Sequence, residues 1–577
     1  MATAPILLHG QFCGDDFEFH AGSWFDVQQS WRHGIVYPHW MPSANYNAGE
    51  PRFMFYPPLI WMLGAALGFV LPWPLVPVAI VFLCLAGTGF AVRALALEKL
   101  SDAQATLAGC AALFSGFALF TAYERTAFAE LAGGFWIPLV LLFALRDRNP
   151  SAGLWRRTLD GSTLPLALLI AGCWISDGPV GVMVSYLLVA IAATASAMAR
   201  SWAPLLRASI AAALGIALPG LYLIPAAWEE HWADLRAAAD YPVFRIENNW
   251  LFARHTDALL APFGTVLHRA SALCVTMIGV AAVGMGIAML RRRVMRDNHP
   301  LARQWWIPLA MIPFVALFLQ FRISGVLWNL LPKLRFLQYP WRWTLVAEAP
   351  MAIFLAAAIW PSPSNRRWPR ILVVSVCAAA FLASAAVAGK AFLRVCQEGD
   401  TISDLRAQYD AGRGMEGTDE YEPADSDHWK LATGLPDACF TADSDATLGV
   451  IGEGSPTPAW RFEQGSCQAV VSFQHHDPEH IQLATNAPHA GYLILRLVSY
   501  PAWRIRVNGR PTEPADPRDD GLIAVPVPQG PIDLAIDWTT TPDVVAGRSV
   551  SIAAILLLIA LGWLERKPDS LRQVSSR

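Results

Sequence analysis

The chain has 577 residues, 54% hydrophobic and 15% charged, with a mean hydropathy of +0.36. Soluble globular chains carry roughly 25% charged residues, so this composition excludes an ordinary soluble domain and points to an apolar solvent. A net charge of −3 argues against nucleic acid as a partner, while 24 Trp suit both membrane interfaces and stacking on sugar rings.

Residues 1–74 read as an extracytoplasmic first loop. The opening MATAPILLHG lacks a basic n-region and has too short an apolar stretch for a cleavable signal peptide. It reads as the tail end of a membrane helix whose start is missing. The densest polar run follows, Gly14-Asp15-Asp16-Phe17-Glu18-Phe19-His20. A helix beginning at Asp15 would place Asp16, His20 and Trp24 on one face, with Asp15 as its N-cap. The plainer reading of the acidic pair is a cap on a solvated turn. The chemical reading is a catalytic carboxylate whose neighbour tunes its pKa or shares a divalent cation.

The loop continues through Tyr37-Pro38-His39-Trp40 and Asn45-Tyr46-Asn47 to Phe55-Tyr56-Pro57-Pro58. Aromatic faces set by Pro and Gly turns suit a pyranose ring, with Trp40 and Tyr56 as candidates; an interfacial aromatic belt is the alternative. The apolar run 58–71 is short for a span, which needs about 20 residues. It is predicted to be a re-entrant or interfacial helix.

Eleven spans are predicted, near 75–95, 105–122, 130–146, 163–177, 179–198, 207–227, 270–290, 304–320, 344–361, 369–391 and 547–564. The basic clusters flanking them fall on one side: Arg93 and Lys99, Arg146 to Arg157, Arg200 and Arg207, Arg291 to Arg296, Arg366 to Arg370, and Arg566-Lys567. The positive-inside rule makes that side cytoplasmic. The other side then holds 1–74, 123–129, 177–179, 228–269, 321–343 and 392–546.

Three of those outer pieces are chemically informative. The turn Tyr123-Glu124-Arg125 leads to Glu130 at a helix start, where the dipole favours a carboxylate. Arg125 could take a phosphate, unless these charges simply pair among themselves. The run Lys333-Leu334-Arg335-Phe336-Leu337-Gln338-Tyr339-Pro340-Trp341-Arg342 concentrates positive charge on the outer side, as for an anionic lipid head group; snorkelling anchors are the alternative. The loop 228–269 could cover a site. Within the spans Glu348 is the one clear acid and is expected to pair with Arg342. Asp177 faces the same outer side.

Residues 392–546 read as an extracytoplasmic insert, beginning with an acidic loop from Asp400 to Asp427. Six alternating runs between Ala469 and Trp538, with Asn508-Gly509 as a two-residue hairpin turn, predict an antiparallel β-sandwich. One pair among Cys396, Cys439 and Cys467 could form a disulfide, with Cys439–Cys467 slightly favoured. Residues 547–577 are a final span and cytoplasmic tail, and 75–391 the main transmembrane helical domain.

The acidic first loop with Asp16-x-x-x-His20, then Tyr37-Pro38-x-Trp40, Gly49-x-Pro51 and Tyr56-Pro57-Pro58, resembles the GT-C superfamily of membrane glycosyltransferases. Tyr123-x-Arg125-x-x-x-x-Glu130, Leu331-Pro332-x-Leu334-Arg335-x-x-Gln338-x-Pro340-Trp341-Arg342, and Tyr500-Pro501-x-Trp503 with Asn508-Gly509 resemble more closely a bacterial branch labelled 6-pyruvoyl-tetrahydropterin synthase-related membrane proteins. The resemblance covers nearly the whole chain. It implies a mainly α, polytopic transmembrane helical bundle with an extracytoplasmic β-domain in the bacterial inner membrane. It implies inverting sugar transfer from a polyprenyl-phosphate donor to an outer-face glycan or lipid acceptor, as in cell-envelope polysaccharide synthesis. Asp16, with Asp15 as rival, would be the base or a metal ligand, and Glu130 a second acid of the site. Arg125, Arg335 and Arg342 would hold the lipid phosphate. His20, Lys333 and Gln338 complete the candidate substrate contacts. The competing classes are a non-catalytic glycan-binding scaffold and a flippase or transporter of a lipid-linked glycan.

Overall fold

The computed structural model describes residues 1–9, 12–146, 153–233, 235, 241–291, 300–361, 367–424, 431, 436–445, 449–451, 459–462, 465–466 and 471–566. Parts of the expected basic loops (Arg148, Arg292, Arg293, Arg296, Arg366 and Lys567), the loop acid Asp234, the end of the acidic loop at Asp427, and the start of the strand predicted at Ala469 lie outside them.

Among the described residues eight helices are long and apolar enough to cross a membrane, or up to 10 if each of two bent pairs is one span. The eight correspond to eight of the eleven predicted spans. The predicted spans 207–227 and 304–320 are the bent pairs. Ala203–Ala217 meets Gly220–His231 at 75°, and Arg303–Phe318 meets Arg322–Leu330 at 97°. The first break falls at Pro219, which cannot donate to the helix ladder. The remaining prediction, 163–177, is a helix of only 14 residues, Thr163–Ser176. At 1.5 Å per residue it reaches about 21 Å, short of a bilayer core of about 30 Å. The helix Pro58–Leu67 has 10 residues and is likewise too short to span.

The bundle is layered. Pro340–Ile359 runs through its middle, with Ala347, Ala352, Ile353, Ala356 and Ala357 shut off from solvent. Alanines there let neighbouring backbones approach closely, the packing that lipid-embedded helices use. Trp368–Phe392 and Pro542–Arg566 lie at the edge and leave Ile371, Leu372, Leu556 and Ile559 exposed, as a lipid-facing surface requires.

The C-terminal β-domain is the predicted sandwich. A three-stranded antiparallel sheet orders Ala438–Thr441, Gly491–Val498 and Leu522–Val527. A five-stranded antiparallel sheet orders Ser472–His476, His480–Ala487, Gly530–Trp538, Trp503–Val507 and Arg510–Pro511. Leu493, Ile494 and Leu495 of the first sheet share one buried core with Leu483, Leu534 and Ile536 of the second. Trp503–Val507 alternates buried and exposed, the signature of a one-sided strand. Asn508 and Gly509 both take positive φ, 49° and 76°, as a two-residue hairpin turn demands.

The first loop and the β-domain are built into each other. Trp40 is 1% exposed and sits against Trp503, Trp538 and Tyr500 at 5.4, 5.6 and 6.0 Å between ring centres. The acidic stretch expected to be loop contains a helix, Ile402–Asp410. Its Tyr409 hydroxyl donates to Asp26 at 2.7 Å, and the other Asp26 oxygen accepts from the Ser43 hydroxyl at 2.6 Å. Cys396 pairs with Cys13 across 383 residues, a bond the sequence reading did not anticipate. Cys439 is also disulfide-bonded. The expected partner, Cys467, lies outside the described residues.

Candidate active site

The sequence folds the acidic pair onto the Tyr123–Arg125 turn. The Asp15 and Asp16 N–H groups donate to the carbonyls of Glu124 and Arg125 at 3.3 and 2.9 Å. Gly14 permits the approach, because a Cβ there would lie 2.4 Å from the Glu124 carbonyl oxygen. The turn itself is a π-type bulge, Thr121–Arg125, ended by Thr126 at φ 50°. A β-branched residue at positive φ is strained, and π-bulges recur at functional sites. The helix that follows the pair is Phe17–Arg32, so Asp16, not Asp15, is its N-cap residue. Its carboxylate makes no cap hydrogen bond.

These elements line one cavity of about 1480 Å³. Of the predicted site residues, Asp15, Asp16, Tyr56, Arg125, Glu130, Lys333, Gln338 and Arg342 all face it. Glu130 is 3% exposed and is clasped by two cations, Arg125 Nη1 at 2.6 Å and Arg342 Nε at 3.1 Å. Arg125 also lies 4.8 Å over the Trp341 ring. Each guanidinium has five N–H donors, so Glu130 saturates neither, and Asp16 and Asp177 face the same two cations. The predicted self-pairing of this turn is therefore half right. Arg125 pairs with Glu130, whereas Glu124 pairs with Arg269 at 2.6 Å and Arg394 at 3.5 Å. Glu348 does not meet Arg342; it accepts from the Ser115 hydroxyl at 2.5 Å.

The two aspartates differ. Asp15 accepts from Arg394 at 2.5 Å. Asp16 has no side-chain hydrogen bond or ion pair among the described residues. Desolvation pushes its carboxyl up to about 7; Arg125 and Arg342 oppose, while Asp15 and Glu420 add to the shift. Asp177, also at the cavity, is pushed up to about 6 by burial, with one oxygen held by the Val180 N–H at 3.0 Å.

Three predicted contacts lie elsewhere. His20 is fully buried among Trp24, Phe19, Tyr56 and Phe128. Burial lowers its pKa to about 3, so the ring is a neutral packing element. Trp40 belongs to the β-domain contact. Arg335 is held outside by Asn329 at 2.8 Å and Glu247 at 2.5 Å. The predicted cation ligands Asp15, Asp16 and Glu130 do not form a metal cluster. Among the described residues no three His, Cys, Asp or Glu side chains do, since Asp15 and Glu130 are turned onto arginines.

The sequence reading missed the wall contributed after the tenth predicted span. Arg394, Glu416, Thr418, Glu420 and Tyr421 line the cavity, and Glu420 accepts from the Gln338 amide at 2.8 Å. No local pattern marks them; a pairing of Cys13 with Cys396 was the one available signal. The loop 228–269 does border the cavity, through Trp228, Glu230 and Phe244, with Glu230 bonded to Lys333 at 2.6 Å. The remaining wall is apolar and is built by membrane-helix residues, among them Ala213, Ile216, Ala217, Leu223, Val266 and Val550.

Fold and cavity together define a multi-pass membrane protein with an amphiphilic site, charged at one end and hydrocarbon-like along its side. No protein-family model and no curated protein matches the chain, so the expected branch stands on its motifs alone. The chain's likenesses to solved structures include two at low identity. One is to an oligosaccharyltransferase of Archaeoglobus fulgidus in complex with zinc and sulfate, at 14% identity and a TM-score of 0.40. It covers 67% of this chain and 50% of that one, so this chain matches only half the length of the archaeal protein. The other is to ArnT of Cupriavidus metallidurans bound to undecaprenyl phosphate, at 12% identity and a TM-score of 0.25, covering 72% of this chain and 88% of that one. Neither likeness is close enough to carry a function across.

Proposed function

We propose that the protein is a membrane glycosyltransferase that moves a sugar from a polyprenyl-phosphate donor to a glycan or lipid acceptor at the extracytoplasmic face of a bacterial cell membrane. The observation that carries this reading is the meeting of Asp16, a carboxylate without a side-chain partner among the described residues, with the Arg125–Arg342 pair in one cavity that has an apolar side wall. A donor of this kind needs all three. Its isoprenoid chain lies along Ile216, Ala217 and Val550, its phosphate faces the guanidiniums, and its sugar reaches Asp16.

The reaction balances as a single displacement. The acceptor hydroxyl gives its proton to the Asp16 carboxylate as its oxygen bonds to the anomeric carbon from the face opposite the phosphate. The bond from that carbon to the phosphate oxygen breaks, and polyprenyl phosphate leaves as an anion neutralised by Arg125 and Arg342. A general base must be ionised at the working pH and close to it in pKa, and positioned cations stabilise the leaving charge. Each guanidinium keeps donors beyond those bound by Glu130, whose own role is to hold the two cations side by side. The residues turned onto arginines do not fit a divalent cation, so no step is routed through one. The disulfide Cys13–Cys396, beside the acidic pair, suits an oxidising compartment and so supports an outer-face site.

The test is transfer in lipid nanodiscs from radiolabelled polyprenyl-phosphate sugars to envelope acceptors. The expected result is release of polyprenyl phosphate that Asp16→Asn slows by about 10²–10⁴-fold. Release that is indifferent to Asp16→Asn would overturn the reading.

A further inference from the structure

Asp15 and Asp16 are adjacent carboxylates at one cavity, and nothing in their sequence separates them. Their partners do. Arg394 Nη1 donates to Asp15 at 2.5 Å and its Nη2 reaches Glu124 at 3.5 Å, while Asp16 has no side-chain hydrogen bond or ion pair among the described residues. The backbone that carries Arg394 is tethered covalently to the backbone that carries Asp15. Asp15 lies two residues after Cys13, Arg394 lies two residues before Cys396, and those cysteines are joined. The Cys13 N–H also donates to the Arg394 carbonyl at 2.9 Å.

We propose that Arg394 is a positioning residue: held by the Cys13–Cys396 bridge, it occupies Asp15 and thereby assigns the proton-accepting role to Asp16. The identity of the proton donor rests on the transferase reading; the division of labour between the two carboxylates does not. The charged groups facing Asp16 are Asp15 on its own loop, Arg125 on the π-bulge, Arg342 in the first turn of the central span and Glu420. Those facing Asp15 are Asp16, Arg394 and Arg125; burial raises the Asp15 carboxyl too, and the two guanidiniums oppose that rise. Remove Arg394, and two neighbouring carboxylates compete for one proton and titrate as a pair, so neither is singled out.

Carbodiimide labelling of the purified full chain, read by peptide mass spectrometry, tests this without any donor. The reagent adds through the protonated carboxyl. At about pH 6, below the Asp16 midpoint of about 7, wild-type protein is expected to be modified at Asp16 several-fold more than at Asp15. Asp15 is the more exposed of the two, so its sparing would not reflect burial. Arg394→Gln is expected to erase the preference and Arg394→Lys to restore it. Reducing the disulfide of wild-type protein with a phosphine is expected to weaken the preference without any substitution, which keeps the test intact should a variant misfold. Equal labelling in wild type, or a preference unmoved by both Arg394→Gln and reduction, would overturn the proposal. Selective labelling in a protein that transfers no sugar would sink the transferase reading and leave Arg394's role standing.

Discussion

The Asp16 N–H donates to the Arg125 carbonyl at 2.9 Å, so the backbone that carries the candidate base is bonded to the backbone that carries a cation of the cavity. Main-chain geometry thus sets the two backbones side by side before any substrate arrives, and the Glu130 carboxylate and the Trp341 ring then hold the Arg125 guanidinium.

Asp16→Asn removes the base while keeping shape. Loss of a general base costs about 10²–10⁴-fold in rate. Turnover of a polyprenyl-phosphate sugar should fall by that factor while binding of the donor, measured by thermal shift with undecaprenyl phosphate, persists.

The pH profile follows from the direction of the Asp16 shift. Its folded pKa is raised to about 7, and the base works only when ionised, so kcat/KM should fall as pH drops through about 7. Glu420 contributes to raising that pKa. Glu420→Gln should therefore move the acidic limb to lower pH.

Arg342→Gln removes one cation facing the leaving phosphate. A hydrogen bond to a charged group contributes about 1.5–3 kcal/mol, so affinity for undecaprenyl phosphate should fall roughly ten- to a hundredfold. Arg125→Gln should do more harm to the fold as well, because the Arg125–Glu130 pair is buried and breaking such a pair costs about 3–5 kcal/mol.

Trp40→Ala distinguishes a packing role from a sugar-binding one. Trp40 is buried against Trp503 and Trp538, and truncating a buried Trp costs about 3–5 kcal/mol. The expected result is a lower unfolding temperature, monitored by Trp fluorescence.

The long apolar runs were legible in the sequence because a bilayer imposes length and hydrophobicity on each helix separately. Thr163–Ser176 shows where that logic stops, since an apolar helix packed inside a bundle need not be long enough to span. The β-domain was readable from strand alternation and Asn508-Gly509, both local signals. Much of the charged lining of the cavity was readable too, because Asp16, Arg125 and Arg342 are polar residues stranded beside apolar segments. What could not be read was non-local. The Cys13–Cys396 bond, Arg394 on Asp15 and Glu420 on Gln338 join residues 82 to 383 positions apart, and no periodicity encodes such meetings. His20 and Trp40 misled for the opposite reason: an aromatic or imidazole ring looks alike in sequence whether it packs or binds.

The most direct measurement is a cryo-electron microscopy structure of the full chain in a nanodisc with undecaprenyl phosphate. The account predicts the phosphate within hydrogen-bond distance of Arg125 and Arg342, facing Asp16, with the isoprenoid tail along Ala217 and Val550. A phosphate bound away from both arginines, or a tail that leaves this cavity empty, would contradict it.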